Sequence, residues 1–338
     1  MNSLKYRVIR SYWLIVILGI SLTGCDFSDK KGNPGDILHA PPYASLTDSI
    51  SRFPDEPRLY AERALRLSQN DLHELATADY KKAWELNPVE GMALEYVNNL
   101  MLVNKPGEAI GLLNDCIKKW PQSIDLRRRL SEIYEQIGQH ARAVAQYDEM
   151  LQTDSTNFEA WYNKAILLSR LRDTAGAIAA LERSYAAQPI YYNGITLAGF
   201  YAKQLNPKTP ALCDELIAKD VNNEFPDAHF VKGLYYSYTK KYDSADAMFD
   251  ECIRRDWRFA DAHVEKAVIL YEKKQYNEAL NVLKTALTVA NLHADTYYWM
   301  ARCYEALGDR EQAIQNYQRT LSLDPDDDDA RAGLRRVR

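Results

Sequence analysis

The stretches "YDSADAMFDECI" (residues 242–253), "YNEALNVLKTAL" (276–287) and "DREQAIQNYQRTL" (309–321) are copies of one pattern. An alanine holds the same phase in each. The phase extends back through the chain as Ala76, Ala109, Ala143, Ala177, Ala211, Ala245, Ala279 and Ala313, with one spacing of 33 residues and six of 34. Alanine is common, but its abundance does not generate seven consecutive spacings of this kind. A period of this length marks a chain assembled from stacked supersecondary units.

Other positions keep the phase. Twelve residues before each alanine stand Ala64, Val97, Ser131, Ala165, Gly199, Gly233, Ala267 and Ala301, all small but one. Four residues after it stand Tyr80, Leu113, Tyr147, Leu181, Glu215, Phe249, Leu283 and Tyr317, all large and apolar or aromatic except Glu215. Twelve after it, Pro88, Pro121, Pro189 and Pro325 close half of the units. Each unit therefore reads as two amphipathic helices joined by a short turn such as Gly138-Gln139 or Gly308-Asp309. Antiparallel helices need small residues where their backbones approach, and proline ends the second helix because it cannot continue one. One helix pair leaves an apolar face uncovered, so the units must stack into a solenoid.

This pattern resembles the tetratricopeptide repeat family. It is clearest in "ADTYYWMARCYEALGDREQAIQNYQRTLSLDP" (294–325), where Tyr297, Ala301, Tyr304, Gly308, Ala313, Tyr317 and Pro325 stand on the family's signature positions. The resemblance implies an all-α, right-handed α-α superhelix of about eight helix-pair repeats over residues 57–327. Residues 44–56 read as a half repeat capping the N-terminal edge. Residues 328–338 read as a C-terminal capping helix, with aspartates first and arginines last, the order that suits the helix dipole. A calcium site in Asp326 to Asp329 is disfavoured, because adjacent acids on a helix do not converge on one ion. In the fifth repeat, about 192–225, Pro207, Pro210 and Glu215 depart from the family. They predict a second helix that starts late, with Thr209 as its cap and Pro210 in its first turn, and either a hinge there or a degenerate but rigid unit.

The N-terminus decides the compartment. Lys5, Arg7 and Arg10 precede a short apolar run, Trp13 to Leu22. That is too short for the roughly twenty residues that span a bilayer, and the layout is that of an export signal. The run ends in "LTGC" (22–25), which resembles the bacterial lipobox. The resemblance implies a signal peptide over 1–24, cleavage before Cys25 and a lipid on its sulfur. Residues 25–43, with two glycines and three prolines, read as the lipidated cysteine and a flexible tether. The expected location is lipid-anchored in a bacterial envelope, with the outer membrane facing the periplasm favoured over the inner membrane or the cell surface.

The chemistry-bearing residues point away from catalysis. Without the leader, 39 basic residues face 47 acidic ones, a net charge of −8. A basic face for nucleic acid is not apparent. No HExxH, phosphate loop or GxSxG is present. The 34-residue pair His229 and His263 and the in-phase Cys116 and Cys252 read as packing residues, so no metal, cofactor, small-molecule substrate or enzymatic activity is expected.

Binding is the better expectation, and the family implies where. Its concave groove is lined by the first helix of each repeat. Those phases carry Arg58, Asn98, Arg128 and Glu132 early in the chain. They then carry Tyr162, Ile166, Phe200, Phe230, Leu234, Tyr238, Val268, Tyr271, Tyr298 and Arg302. Aromatic side chains there would grip a partner protein or an extended peptide. The carboxylate clamp of the chaperone-binding members is not expected, since Ala61, Leu65 and Asp125 stand where other members of that set should be. The implied role is a lipid-anchored, non-enzymatic adaptor. A glycan-binding envelope protein, or an assembly factor for an outer-membrane or secretion machine, are the alternatives.

Overall fold

The computed structural model describes residues 34–222 and 224–338, and among them all regular structure is α-helical. The chain divides between Ala187 and Gln188 into two compact units. The first holds α1 (Pro34–Leu38) and α2 (Ala44–Arg52), followed by four hairpins. These are α3 (Pro57–Gln69) with α4 (His73–Leu86), α5 (Glu90–Leu102) with α6 (Pro106–Lys119), α7 (Ile124–Gln136) with α8 (His140–Thr153), and α9 (Phe158–Arg170) with α10 (Thr174–Ala187). The second unit holds α11 (Tyr191–Lys203) with α12 (Thr209–Lys219), α13 (Asp227–Tyr238) with α14 (Tyr242–Arg255), α15 (Ala260–Glu272) with α16 (Tyr276–Val289), and α17 (Ala294–Leu307) with α18 (Arg310–Leu323). It ends in α19 (Asp328–Val337).

The repeat phase becomes packing. Ala76, Ala109, Ala143, Ala177, Ala245, Ala279 and Ala313 are fully buried, as are Ala64, Val97, Ser131, Ala165 and Ala301 on the facing helices. Ser131 satisfies its buried hydroxyl by donating to the Ala143 carbonyl at 3.0 Å. One turn on, Leu113, Leu181, Phe249, Leu283 and Tyr317 fill the space beside each close approach.

The turn inside each hairpin repeats as well. Asp71, Asn104, Gly138, Arg172, Leu205, Lys240, Lys274 and Gly308 all have φ between 53° and 80°. This left-handed residue lets the first helix stop and the chain reverse. Glycine does so without strain at 138 and 308. Elsewhere a residue with a side chain bears that cost, Leu205 in the irregular fifth repeat among them.

The fifth repeat corrects the sequence phase. Its second helix does start late, and α12 has 11 residues where the other second helices have 14. Ala211 is exposed, however, and the fully buried triplet is Thr209, Cys213 and Leu216. The buried face lies two residues earlier than the repeat spacing places it. Thr209 is not a cap but the first helical residue, and its hydroxyl donates to the Asn206 carbonyl at 2.7 Å. Glu215, now on the outside, pairs with Lys219 at 2.7 Å.

The ends are covered. Residues 34–43, read as tether, instead carry α1, and Tyr43 is buried with Ile37 and Leu38 packed against the first core. The Thr47 hydroxyl of α2 fixes this corner by donating to the Leu38 carbonyl at 2.6 Å. Arg63 then joins α2 to the first hairpin. It donates to Thr47 at 2.9 Å and forms a bidentate pair with Asp79 at 2.7 and 2.8 Å. At the other end Asp327 caps α19 by accepting from the Ala330 amide at 2.8 Å. Arg336 reaches back to Glu305 of α17 with both oxygens engaged, at 2.9 and 3.0 Å. The aspartates of 326–329 thus include a capping residue and, in Asp328, an ion-pair partner of Arg331. Cys25 and the signal segment lie outside the described residues, and among the described residues no helix is long and apolar enough to cross a membrane.

Candidate functional site

The residues expected to line a groove separate by exposure. In the first unit Arg58 and Asn98 are exposed, and Arg128, Glu132, Tyr162 and Ile166 are half-buried. Two of the charges there are already paired: Arg128 with Asp125, and Glu132 with Arg129 at 2.9 Å. In the second unit Phe200, Tyr238, Val268, Tyr271 and Arg302 are half-buried. Lys203 lies 5.9 Å from the centre of the Phe200 ring.

Three of the expected groove residues are core instead. Phe230 is buried between Phe249, 5.8 Å away, and Phe259, 5.0 Å away. Leu234 is buried one turn further along α13. Gly233 makes this possible, because a Cβ there would meet the Phe249 ring at 2.6 Å. Tyr298 is buried against Trp299 at 5.4 Å and Tyr317 at 6.0 Å. Phe230 and Leu234 offer a partner almost no surface, and Tyr298 contributes only through its hydroxyl.

That hydroxyl belongs to the best-built arrangement on the first helices. Arg302 of α17 donates to the Tyr298 oxygen and to the Tyr271 oxygen, each at 3.0 Å. Its guanidinium lies 5.2, 5.7 and 5.9 Å from the ring centres of Tyr271, Trp299 and Tyr298. Burial alone would ease its proton off, but the two phenols outweigh this and hold Arg302 more firmly protonated than usual. One turn on, Glu305 is partly buried, which would raise it. Its bonds from Arg336 and the Tyr317 hydroxyl outweigh that and keep it ionised below the usual carboxylate range. Trp299, Glu305 and Arg336 were not legible as parts of this site. Arg302 and Tyr298 stand one helical turn apart on the phases expected to line the groove.

Several titratable groups are buried elsewhere in the two units. Glu265 on α15 is fully enclosed, and burial, with Asp261 and Asp295 adding repulsion, pushes it up to about 8. The unfolded chain releases that proton near 4.5. The folded state therefore holds the proton more tightly, and the stability it contributes is full below pH 4.5 and lost as pH rises through about 8. Glu265→Gln is expected to raise the melting temperature by an amount that is negligible at pH 4.5 and grows to a plateau above pH 8. Thermal unfolding across that range checks it, and a gain independent of pH would count against the assignment.

The repeat-phased histidines are both buried. His263 reaches the Trp257 carbonyl at 3.0 Å. Neither ring nitrogen of His229 has a hydrogen-bond partner among the described residues, and burial, then Arg255, pushes its pKa down. Cys116, Cys213, Cys252 and Cys303 are buried free thiols, and burial raises all four, Cys116 to about 11. Thiols held protonated in a core are poor nucleophiles. Among the described residues no three His, Cys, Asp or Glu side chains converge as a metal site.

Three segments match tetratricopeptide repeat models, at residues 158–191, 230–291 and 270–337. The chain carries tetratricopeptide repeats. "Tetratricopeptide repeat protein 1" of Schizosaccharomyces pombe is 26% identical over 198 residues, covering 53% of this chain and 19% of that protein. The chain thus spans about a fifth of that relative's length. Among solved structures, a tetratricopeptide repeat protein from Parabacteroides merdae superposes with a TM-score of 0.59 at 16% identity, over 72% of this chain and 97% of that one. PilW, a type IV pilus biogenesis factor, superposes with a TM-score of 0.51 at 19% identity, over 63% and 97%. At these identities the likeness is one of fold. A tetratricopeptide repeat chain is consistent with a protein-interaction scaffold, the common use of such stacked hairpins.

Proposed function

We propose that this protein is a non-enzymatic adaptor, anchored to a bacterial envelope membrane by a lipid on Cys25, which holds a partner protein on the first-helix face of its repeats. The observation that carries the binding half is the Arg302 arrangement: a charged, half-buried side chain held in place by two phenols and three rings, on a helix where packing alone would favour an apolar residue. In the second unit the half-buried Phe200, Tyr238 and Tyr271 lie on the expected groove phases, as Tyr162 does in the first. The anchoring half rests on the basic leader, the short apolar run and "LTGC". The burial of the four described thiols, which holds them protonated, supports a binding role over a thiol-based catalytic one.

The test is site-specific photo-crosslinking in the native cell. A photoreactive residue at Tyr162, Tyr238 or Tyr271 is expected to give one discrete adduct with the same partner protein. The same residue at Glu311 or Gln315, exposed or half-exposed on α18, is expected to give none. Adducts only from α18, or none from the first helices, would refute the reading.

A further inference from the structure

We propose that Arg302 is the seat for an acidic side chain of the bound partner, an aspartate or glutamate within an extended segment. This rests on the adaptor reading and names the partner's chemistry at one point of the same face.

Two of the five guanidinium donors are taken, and both go to neutral phenol oxygens. Among the described residues Arg302 enters no ion pair, whereas Arg63, Arg127, Arg128, Arg129, Arg254 and Arg336 each meet a carboxylate. Glu305 is the acid nearest to hand along α17, and it is already engaged by both donors of Arg336 and by the Tyr317 hydroxyl. Glu305 also feels the Arg302 charge, but Arg336 holds both its oxygens, so this group of two guanidiniums and one carboxylate is net positive. A half-buried charge in that state is costly unless something completes it.

The chemistry of the completing group follows from the frame. A planar fork fixed by two hydrogen bonds and bordered by three rings keeps its remaining N–H groups in one plane, which suits the two oxygens of a carboxylate. The rings lower the local dielectric, so one charge-assisted pair there counts for more than it would on an open surface. Among the described residues on the groove phases of α13, α15 and α17, Arg302 is the single base. A single cation is enough for a side-chain carboxylate. A chain terminus or a phosphate, with more oxygens to satisfy, calls for further donors. Tyr271 and Tyr238, half-buried one and two repeats earlier, offer apolar surface to residues beside the acid.

The experiment screens the full chain against an array of nonapeptides. Each peptide carries Asp or Glu at one internal position and is paired with its Asn or Gln counterpart. Further arms carry a free C-terminal carboxylate or a phosphoserine as the sole anion. The acidic peptides selected are expected to bind about tenfold or more tighter than their amide twins, with the difference shrinking as salt is raised. Arg302→Gln should abolish the difference between acidic and amide peptides. Arg302→Lys should restore part of it. Tyr271→Phe, which removes one oxygen that positions the guanidinium, should reduce it by a smaller factor, and it serves as the readout if Arg302→Gln does not fold.

Acidic and amide peptides bound alike would overturn the inference while leaving the adaptor reading standing. So would a preference that survives Arg302→Gln, or one confined to the C-terminal or phosphoserine arms. Failure of wild type to bind any peptide in the array would overturn the inference and count against the adaptor reading too.

Discussion

Ala279→Glu is expected to destabilise the second unit by about 4 kcal/mol. Ala279 of α16 is fully buried and faces Ala267 of α15, which is itself buried. The helices meet there because neither side chain is larger than a methyl group. A glutamate would force them apart and carry a charge into a space whose neighbours, Leu280, Leu283 and Val264, supply no donor. Ala279→Ser adds one small hydroxyl at the same place and should cost roughly 1 kcal/mol, the price of an imperfectly paired polar atom. Denaturant unfolding measures both. Because stacked hairpins open locally, hydrogen exchange over α15 and α16 should respond before the rest of the unit does. An unchanged melting temperature would mean that the repeat phase is misassigned.

The second large effect lies in the first unit. Arg63→Ala should cost about 3–5 kcal/mol, the usual consequence of removing one partner from a buried pair. The Arg63 and Asp79 side chains are 8% and 9% exposed, so neither finds compensation in solvent. Truncating Arg63 strands the Asp79 charge and frees the Thr47 hydroxyl that holds α2 in place. The double change Arg63→Met with Asp79→Leu removes both charges and keeps the volume, so it should recover most of the loss. Chemical denaturation of the single and double variants decides the matter. Equal losses in both would show that packing by the arginine stem, rather than the stranded carboxylate, sets the cost.

How far the sequence could be read depends on what each signal reports. Hairpin order followed from the 34-residue phase, since a buried alanine and its small counterpart are needed wherever two backbones touch. The fifth repeat escaped because Pro207 and Pro210 reset where α12 begins, and a phase counted from Ala211 could not register a two-residue shift. Exposure along the first helices was half legible. Phase tells which side of a helix a residue occupies, but not what covers it. Phe230 is covered by Phe259, which precedes α15 and lies on neither of the helix phases used to place the groove. Arg302 stays half-buried, with Tyr271 and Tyr298 accepting two of its hydrogen bonds. The Arg63–Asp79 pair was invisible for the opposite reason: charged residues at core phases look like surface until the partner is seen. Residues 34–43 read as tether from their prolines and glycines, yet Ile37, Leu38 and Tyr43 give that segment enough apolar surface to pack.

The central claim is that one face of these repeats holds a partner and the N-terminal lipid places it at a membrane. The most direct measurement is to fractionate cells after photo-crosslinking at Tyr271, in the wild-type chain and in Cys25→Ala. The account predicts the same adduct in both, in the membrane fraction for wild type and in the soluble fraction for the variant. An adduct that stays with the membrane in Cys25→Ala, or that no longer forms, would contradict it.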